Sequence, residues 1–526
     1  MFKKIIKTFR TYFIDYTRYR KILNSDPCFD SDEKVDEYYI FNTVRNTTIV
    51  MHIEFFLAFS LAKRGHKSIV LLDDGVLRHW DSIHDINHNR SLTPYRAGFF
   101  RRWYTKLHTL ILCRLYSHKL ITYTFISDLL SGVDTDSIDI SEYNEIIESA
   151  AKSSCRRYSS NPSFWDDYKN QNYYKMSYEN GVIFALVALV LQAKYPIKKL
   201  ITSHAIYSCW AVLFEVLKKS DVPVLMYSEL IYRGQYAIFS DQPVQNLSHG
   251  EEWGNILGGA GATMEECNRQ QMVEFYQKRI NYEGYEHKYY FQKNELLSKE
   301  VARDSNTVVF GMFPNIVWDG DIEEWHIIFD GILDWVQKTI LLIKDTKNIL
   351  VIRCHPAEAK LLGHSPKLED ILRAAIPNLD SMGNIVIISS DTRLDVYGFI
   401  QDQIDIGLVY DGILGMEMAF MGKPVISAGS GRYAGSYFSE EPQSLTEYTE
   451  MMLHPKSVIE RAIAERSVRL ERLLRFSWWY LHEKTYFIPI LDKDDFFGVK
   501  IGNIDEMTFS PKNRDFQRTL EFLTDE

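Results

Sequence analysis

The stretch from Asn348 to Gly429 constrains this chain most, because an apolar run twice delivers a polar cluster. Asn348-Ile-Leu-Val-Ile-Arg353 reads as a strand and ends in Arg353-Cys354-His355-Pro356. Farther along, Ile406-Gly-Leu-Val-Tyr-Asp411 runs into Gly412-Ile-Leu-Gly415-Met-Glu417, and Gly422-Lys423-Pro424 turns into the strand ending at Ser427. A short strand with no polar alternation is covered on both faces, as in a parallel sheet flanked by helices. Polar residues directly after such strands lie at the carboxyl ends, where open α/β sheets hold nucleotides.

The rest of the chain keeps the same rhythm. Tyr38 to Phe41 reads as a strand, Met51 to Arg64 as an amphipathic helix closed by Gly65, and Ser68 to Leu72 as a strand ending in Asp73-Asp74-Gly75. A helix stopped by glycine between two apolar runs is a βαβ unit, so a parallel sheet begins here. Residues 76 to 175, rich in Arg, Tyr and Trp, are expected to be a mostly helical insertion. A helix from Gly181, a strand from Lys199 ending in Ser203-His204, a helix from Tyr207 and a strand from Val222 complete the first half. Ser228 to Asp304 is polar and reads as a loop followed by a linker helix. The second half restarts at Thr307 and alternates strand and helix to Ser427, and a charged helical tail follows from Pro455.

At 526 residues the chain exceeds one ordinary core. The fold expected is α/β, two Rossmann-like domains facing a central cleft, with a helical insertion in the N-terminal half. The expected boundaries are a basic N-terminal segment over 1–30, an N-terminal domain over 31–300, a C-terminal domain over 301–455, and a helical tail over 456–526 packing back across the domains.

Charge and composition remove several classes of function. With 60 Lys plus Arg against 70 Asp plus Glu the net charge is −10, which argues against a surface built for nucleic acid. The 6 cysteines include no CxxC pair, so neither a zinc site nor a disulfide framework is indicated, and a reducing cytoplasm is the simplest compartment. No uninterrupted apolar run is long enough for a membrane span. The N-terminus interleaves Phe2, Ile5, Ile6, Phe9 and Phe13 with Lys3, Lys4, Lys7 and Arg10 at helical spacing. That pattern fits a helix lying on an anionic membrane surface, and equally a cationic helix docked on the protein's own body.

His355, fixed by Pro356, offers a donor to a nucleotide phosphate, with Arg353 one pleat back and Cys354 on the opposite, core-facing side. Gly412 to Gly415 opens a helix whose N-terminus can face an anion. Glu417, placed on that helix's first turn, can accept hydrogen bonds from ribose hydroxyls or simply complement the helix dipole. Asp73 and Asp74 end a strand where a carboxylate can take a proton from a sugar hydroxyl; an ordinary Asp-Gly turn is the plain alternative. His204, Asp319 and Glu358 are further strand-end candidates for contact with acceptor or donor sugar. His84, Asp85 and His88 lack zinc-type spacing, and no metal is expected.

Val351 to Glu358, Tyr410 to Ile426 and Gly429 to Gly435 together resemble the bacterial capsule and surface-polysaccharide glycosyltransferases of GT-B type, including relatives that transfer Kdo. Asn315 to Asp319, Asp334-Trp335 and the pattern from Glu54 to Gly75 are similar to that group as well, and Asp73-Asp74-Gly75 also resembles the acidic element of bacterial GT-B sialyltransferases. The resemblance implies a nucleotide-sugar donor held by His355, Pro356 and Glu417, with Asp74 as general base, no resident cofactor, and a saccharide or lipid-linked oligosaccharide as acceptor. The compartment expected from the cysteines is the cytoplasm, and a basic N-terminal helix would keep the enzyme near that lipid on the inner membrane, beside other assembly proteins. Where this chain has Asp411 and Gly412 the relatives usually carry Ser or Thr, and an Asp beside phosphate is repulsive unless it turns away or meets a cation. A polyol-phosphate transferase of the teichoic-acid kind and a non-catalytic assembly partner are the two alternatives.

Overall fold

Apolar strands separated by helices assemble into two parallel sheets, because each crossover helix must bury its own apolar face against the sheet. The computed structural model describes residues 19–20, 36–43, 48–77, 109–159, 168–229, 235–244, 249, 252–254, 264–283, 300–317, 327–360, 367–429, 431–492, 503–505 and 507–525. The basic N-terminal segment lies almost wholly outside them. The described residues divide into two compact units, the first drawing on the chain up to 158, 168–244 and 484–525, and the second on 245–483.

In the first unit β1 (Tyr38–Asn42), β2 (Lys67–Leu72), β3 (Ile121–Phe125), β4 (Ile197–Ser203) and β5 (Val224–Glu229) are parallel, in the order β5-β4-β1-β2-β3. This is the order of a mononucleotide-binding Rossmann sheet. β6 (Tyr236–Ser240) then pairs antiparallel with β5, and β12 (Thr485–Phe487) antiparallel with β6. Both β3 and β6 fall in stretches expected to be insertion or loop. β3 lies at the sheet edge with only Ile121 and Thr124 buried, and its sequence carries no continuous apolar run.

Helix Thr48–Lys63 joins β1 to β2 and is buried nearly all round, not on the single face its expected amphipathicity implied. The reason lies far along the chain. Helix Arg514–Thr524 covers its outer side, with Phe516 stacked on Phe56 at 5.4 Å between ring centroids and Phe509 at 5.9 Å. Helix Asn172–Lys194 is long and apolar enough to cross a membrane by composition, the one such helix among the described residues. Phe184, Ala185, Val187, Ala188 and Leu191 are buried in this unit, where the helix packs on helix Ser208–Lys219.

The second sheet is wholly parallel: β7 (Val309–Phe313), β8 (Ile349–Arg353), β9 (Ile385–Ile388), β10 (Ile406–Val409) and β11 (Val425–Ser427) lie in the order β11-β10-β7-β8-β9. The same Rossmann order therefore occurs twice. The central strand β7 carries Gly311 against Ile404, and a Cβ there would fall 2.9–3.0 Å from three side-chain atoms of that buried isoleucine.

Two expected boundaries move. The first unit ends near 244 rather than 300, because helix Glu266–Ile280 is bound into the second: Tyr276 stacks on Phe420 at 4.9 Å, and its hydroxyl meets that of Ser477 at 2.6 Å. The expected tail is also split. Helices Pro455–Ala464 and Arg466–Trp478 and the π-helical turn Trp479–Glu483 belong to the second unit, whereas residues from 484 return to the first as β12 and the helix over Phe56.

Gly311→Ala should overpack the β7 contact with Ile404 and destabilise the second unit by about 1–3 kcal/mol. Urea denaturation followed by Trp fluorescence measures this, and an unchanged midpoint would show that Ile404 yields freely.

Candidate functional site

An open parallel sheet binds ligands outside its carboxyl ends at the switch point, where crossovers diverge to opposite faces. In the second unit that point lies between β7 and β10. Asn315, just past β7, bridges the two strand ends: its Nδ2 donates to the carbonyl of Asp411 at 2.5 Å, and its Oδ1 accepts from the Asp411 N–H at 3.4 Å.

Asp411 is 2% exposed. Its carboxylate accepts from the backbone N–H of Arg432 at 3.2 Å, and from the Arg432 guanidinium through Nε at 3.4 Å and Nη2 at 3.3 Å. The acidic residue that looked hostile to phosphate thus meets a cation. Arg432 follows β11 in the glycine-rich stretch, and Gly431 lets the loop close, since a Cβ there would lie 2.2 Å from Asp411 Oδ1.

Gly412 precedes helix Ile413–Phe420 in extended conformation, and Tyr433 stands over it, its hydroxyl accepting from the Gly412 N–H at 3.5 Å and donating to the Gly412 carbonyl at 3.2 Å. Gly415 makes that approach possible, because a Cβ would sit 2.5 Å from the Tyr433 hydroxyl. Gly415 thus makes room for Tyr433, whereas a Cβ at Gly412 would meet open space.

At the end of β8, His355 is half-buried and its Nδ1 accepts the Ala357 N–H at 3.1 Å, which places the ring proton on Nε2. Pro356 is the first residue of the short helix Pro356–Lys360, where its missing N–H costs nothing. Cys354 is core, as its pleat direction implied, and burial pushes its thiol up to about 12.

Three sequence-derived roles change. Arg353 is buried and donates to the carbonyls of Cys354 at 2.8 Å, Ser389 at 2.5 Å and Thr392 at 2.9 Å, so it binds the ends of β8 and β9 together rather than a ligand. Glu417 lies in the second turn of its helix, not the first, and its carboxylate receives Arg279 Nε at 2.5 Å with both side chains at most 4% exposed. A carboxylate held that way fastens two helices and is not directed at a ribose. Glu358 also turns inward, its Oε2 accepting the Leu368 N–H at 3.1 Å while its Oε1 is buried with no partner. Burial, reinforced by the Glu369 carboxylate, raises it to about 7. Asp319 lies outside the described residues.

In the first unit the switch point lies between β1 and β4. Asn42 ends β1 and donates to the Cys209 carbonyl at 2.8 Å, and Thr43 donates to the Leu71 carbonyl at 2.5 Å. His204 and Ala205 follow β4 with φ of 59° and 54°, unusual for residues with a Cβ. The His204 carbonyl accepts the Val244 N–H at 3.0 Å. Strain of this kind gathers at ligand sites, at about 1–3 kcal/mol per residue. Asp73 and Asp74, past β2, separate clearly. Asp73 Oδ1 accepts three N–H groups of its own turn, from Gly75 at 2.9 Å, Val76 at 3.1 Å and Leu77 at 3.3 Å. Asp74 is exposed, with its carboxylate accepting the Ser127 hydroxyl. Only Asp74 presents a carboxylate outward. Asn315, two residues past the end of β7, and Arg432, five past the end of β11, were not singled out as site residues from the sequence.

Glu417→Met alone should destabilise the protein by about 3–5 kcal/mol in urea unfolding, because Arg279 is left buried without its anion. The Arg279→Met, Glu417→Met pair should recover most of that loss, and a double variant as unstable as the single one would refute the ion-pair account. Glu358 gives a pH test. Its folded pKa, about 7, lies above the ordinary 4.5, so its contribution is fully present below 4.5 and is lost as pH rises through about 7. Glu358→Gln should therefore gain about 2–3 kcal/mol on the parent between pH 4.5 and pH 8. Thermal unfolding across that range checks it, and parallel stability curves would exclude a buried titration.

No family model matches this chain, and no curated protein matches it in sequence. Among solved structures it is similar to KpsC, a beta Kdo 2,7 transferase from Thermosulfurimonas dismutans, with 14% identity and a TM-score of 0.29 over 50% of this chain and 77% of that one. It is also similar to the UDP-GlcNAc 2-epimerase of Neisseria meningitidis, with 12% identity and a TM-score of 0.23 over 83% and 99% of the two chains. A glycosyltransferase from Rickettsia africae matches at 12% identity and a TM-score of 0.24, over 85% of this chain and 99% of the other.

Proposed function

We propose that the protein is a glycosyltransferase that moves a sugar from a nucleotide-sugar donor to a growing surface polysaccharide, such as a capsule or O-antigen chain. The observation that carries this reading is the twofold Rossmann order, with a polar cluster at the switch point of the second sheet and an outward carboxylate beside the switch point of the first. The motif resemblance read from the sequence points the same way.

On this reading the second unit holds the donor. His355, with its proton on Nε2, is placed at a strand end to donate to a phosphate oxygen of the leaving nucleotide and so stabilise the charge that develops there. Asp74 takes the proton from the attacking hydroxyl, and Ser127 fixes the carboxylate's orientation. No resident cofactor or metal is invoked, and the acceptor is a saccharide or lipid-linked oligosaccharide. Asp411, the best argument for a non-catalytic partner, is paired with Arg432, which supports the catalytic reading.

Thermal-shift screening against CMP, UDP, GDP, CDP and dTDP with their sugars should find one base that stabilises the protein. His355→Ala should then abolish that shift while leaving the ligand-free melting temperature unchanged. Asp74→Asn should lower turnover by about 10²–10⁴-fold at unchanged donor affinity. Absence of any nucleotide-induced shift in the parent protein would overturn the reading.

A further inference from the structure

Glu358 is an interior acid three residues after His355. It is 3% exposed, its Oε2 accepts the Leu368 N–H at 3.1 Å, and its Oε1 has no hydrogen-bond partner among the described residues. Neither neighbouring cation pairs with it. The Arg353 guanidinium, on β8, donates to three carbonyls, and Lys367 pairs with Asp391. The Cys354 thiol is buried and stays neutral, pushed up to about 12. A second buried acid, Glu369, directly follows Leu368, and its Oε1 accepts the Ser389 hydroxyl at 2.7 Å.

An interior carboxyl with one oxygen unmatched is far less costly as the neutral acid than as the ion. Burial raises its proton affinity most, the Leu368 N–H opposes that, and the Glu369 carboxylate adds to it against Arg353 and Lys367. What this acid holds is the segment that carries His355. The Glu358 N–H donates to the His355 carbonyl at 3.0 Å, and the Ala357 N–H donates to His355 Nδ1 at 3.1 Å. Through its side chain, Glu358 then joins the helix Pro356–Lys360 to the first residue of helix Leu368–Ala375. A helix of 5 residues is not stable by itself, so its place depends on such ties.

We propose that Glu358 is a positioning residue for His355, holding it in place for an anion as the neutral acid and releasing it on ionisation. The inference rests on the reading of His355 as the donor to a nucleotide phosphate, while the tie itself rests on the geometry of Glu358 and Leu368. Because the buried group keeps its proton longer than it would in water, the tie is complete below 4.5 and is lost as pH rises through about 7. His355 titrates in the same range and favours anions when charged, so the assignment comes from comparison with Glu358→Gln. That amide keeps the shape and an acceptor for the Leu368 N–H, and it cannot ionise.

The test is calorimetric titration of the full chain with the nucleotide selected by the screen, and with inorganic pyrophosphate, at pH 5 and pH 8. Parent and Glu358→Gln should bind within about twofold of each other at pH 5, and the variant about five- to thirtyfold more tightly at pH 8. Amide exchange, corrected for its intrinsic pH dependence, should show Leu368 losing about tenfold of its protection over that range in the parent and about twofold at most in the variant. An affinity ratio that stays constant with pH would overturn the proposal and leave the nucleotide-sugar reading standing. So would Leu368 protection in the parent that is indifferent to pH. Should Glu358→Gln fail to fold, the parent's Leu368 protection decides, its loss with rising pH supporting the tie and its constancy refuting it. If neither probe binds the parent at either pH, the nucleotide-sugar reading falls, and exchange that opens with pH in the parent but not in the variant still upholds Glu358 as the tie on the His355 segment.

Discussion

A parallel sheet covered by helices on both faces can offer polar chemistry only at the ends of its strands, and everything distinctive in this protein follows from that constraint. In the second sheet the strand interiors are apolar: β8 is buried throughout, and so is β10. Side chains able to bind or react are therefore confined to the residues that follow each strand. Asp74, His204, Asn315, His355 and Asp411 all occupy such positions.

Burial then sorts the charged residues into different tasks. A guanidinium or carboxylate removed from water must be matched, and the match fixes what it can do. Arg353 is matched by three carbonyls and becomes a brace between β8 and β9. Arg279 is matched by Glu417 and ties helix Glu266–Ile280 to the helix after β10. Arg432 is matched by Asp411 and keeps part of its surface. The same residue type thus serves as strut, clamp and partly exposed ion pair, and the difference lies in the partners.

How much of this the sequence displayed can be judged residue by residue. Continuous apolar runs made the central strands legible, and with them His355, Asp74 and Asp411 as strand-end residues. β3 and β6 were not legible, because each lies toward a flank of the sheet, partly exposed and with no long apolar run to mark it. Glu417 and Glu358 read as accessible acids because helix and loop position is local information, whereas Arg279 and the N–H of Leu368 come from other segments. Arg432 was overlooked because its partner Asp411 lies at the end of another strand, a pairing that no local pattern displays.

By itself the sequence determined the α/β class, the recurrence of strand and helix in two halves, and the strand ends where polar groups gather. These follow from local periodicity, which a chain carries in its own spacing. Only the tertiary structure decided the order β11-β10-β7-β8-β9, the return of the C-terminal segment to the first sheet, and which charges are spent inside each unit. Those outcomes depend on contacts between residues far apart in the chain, and no local pattern encodes which buried charge will meet which partner.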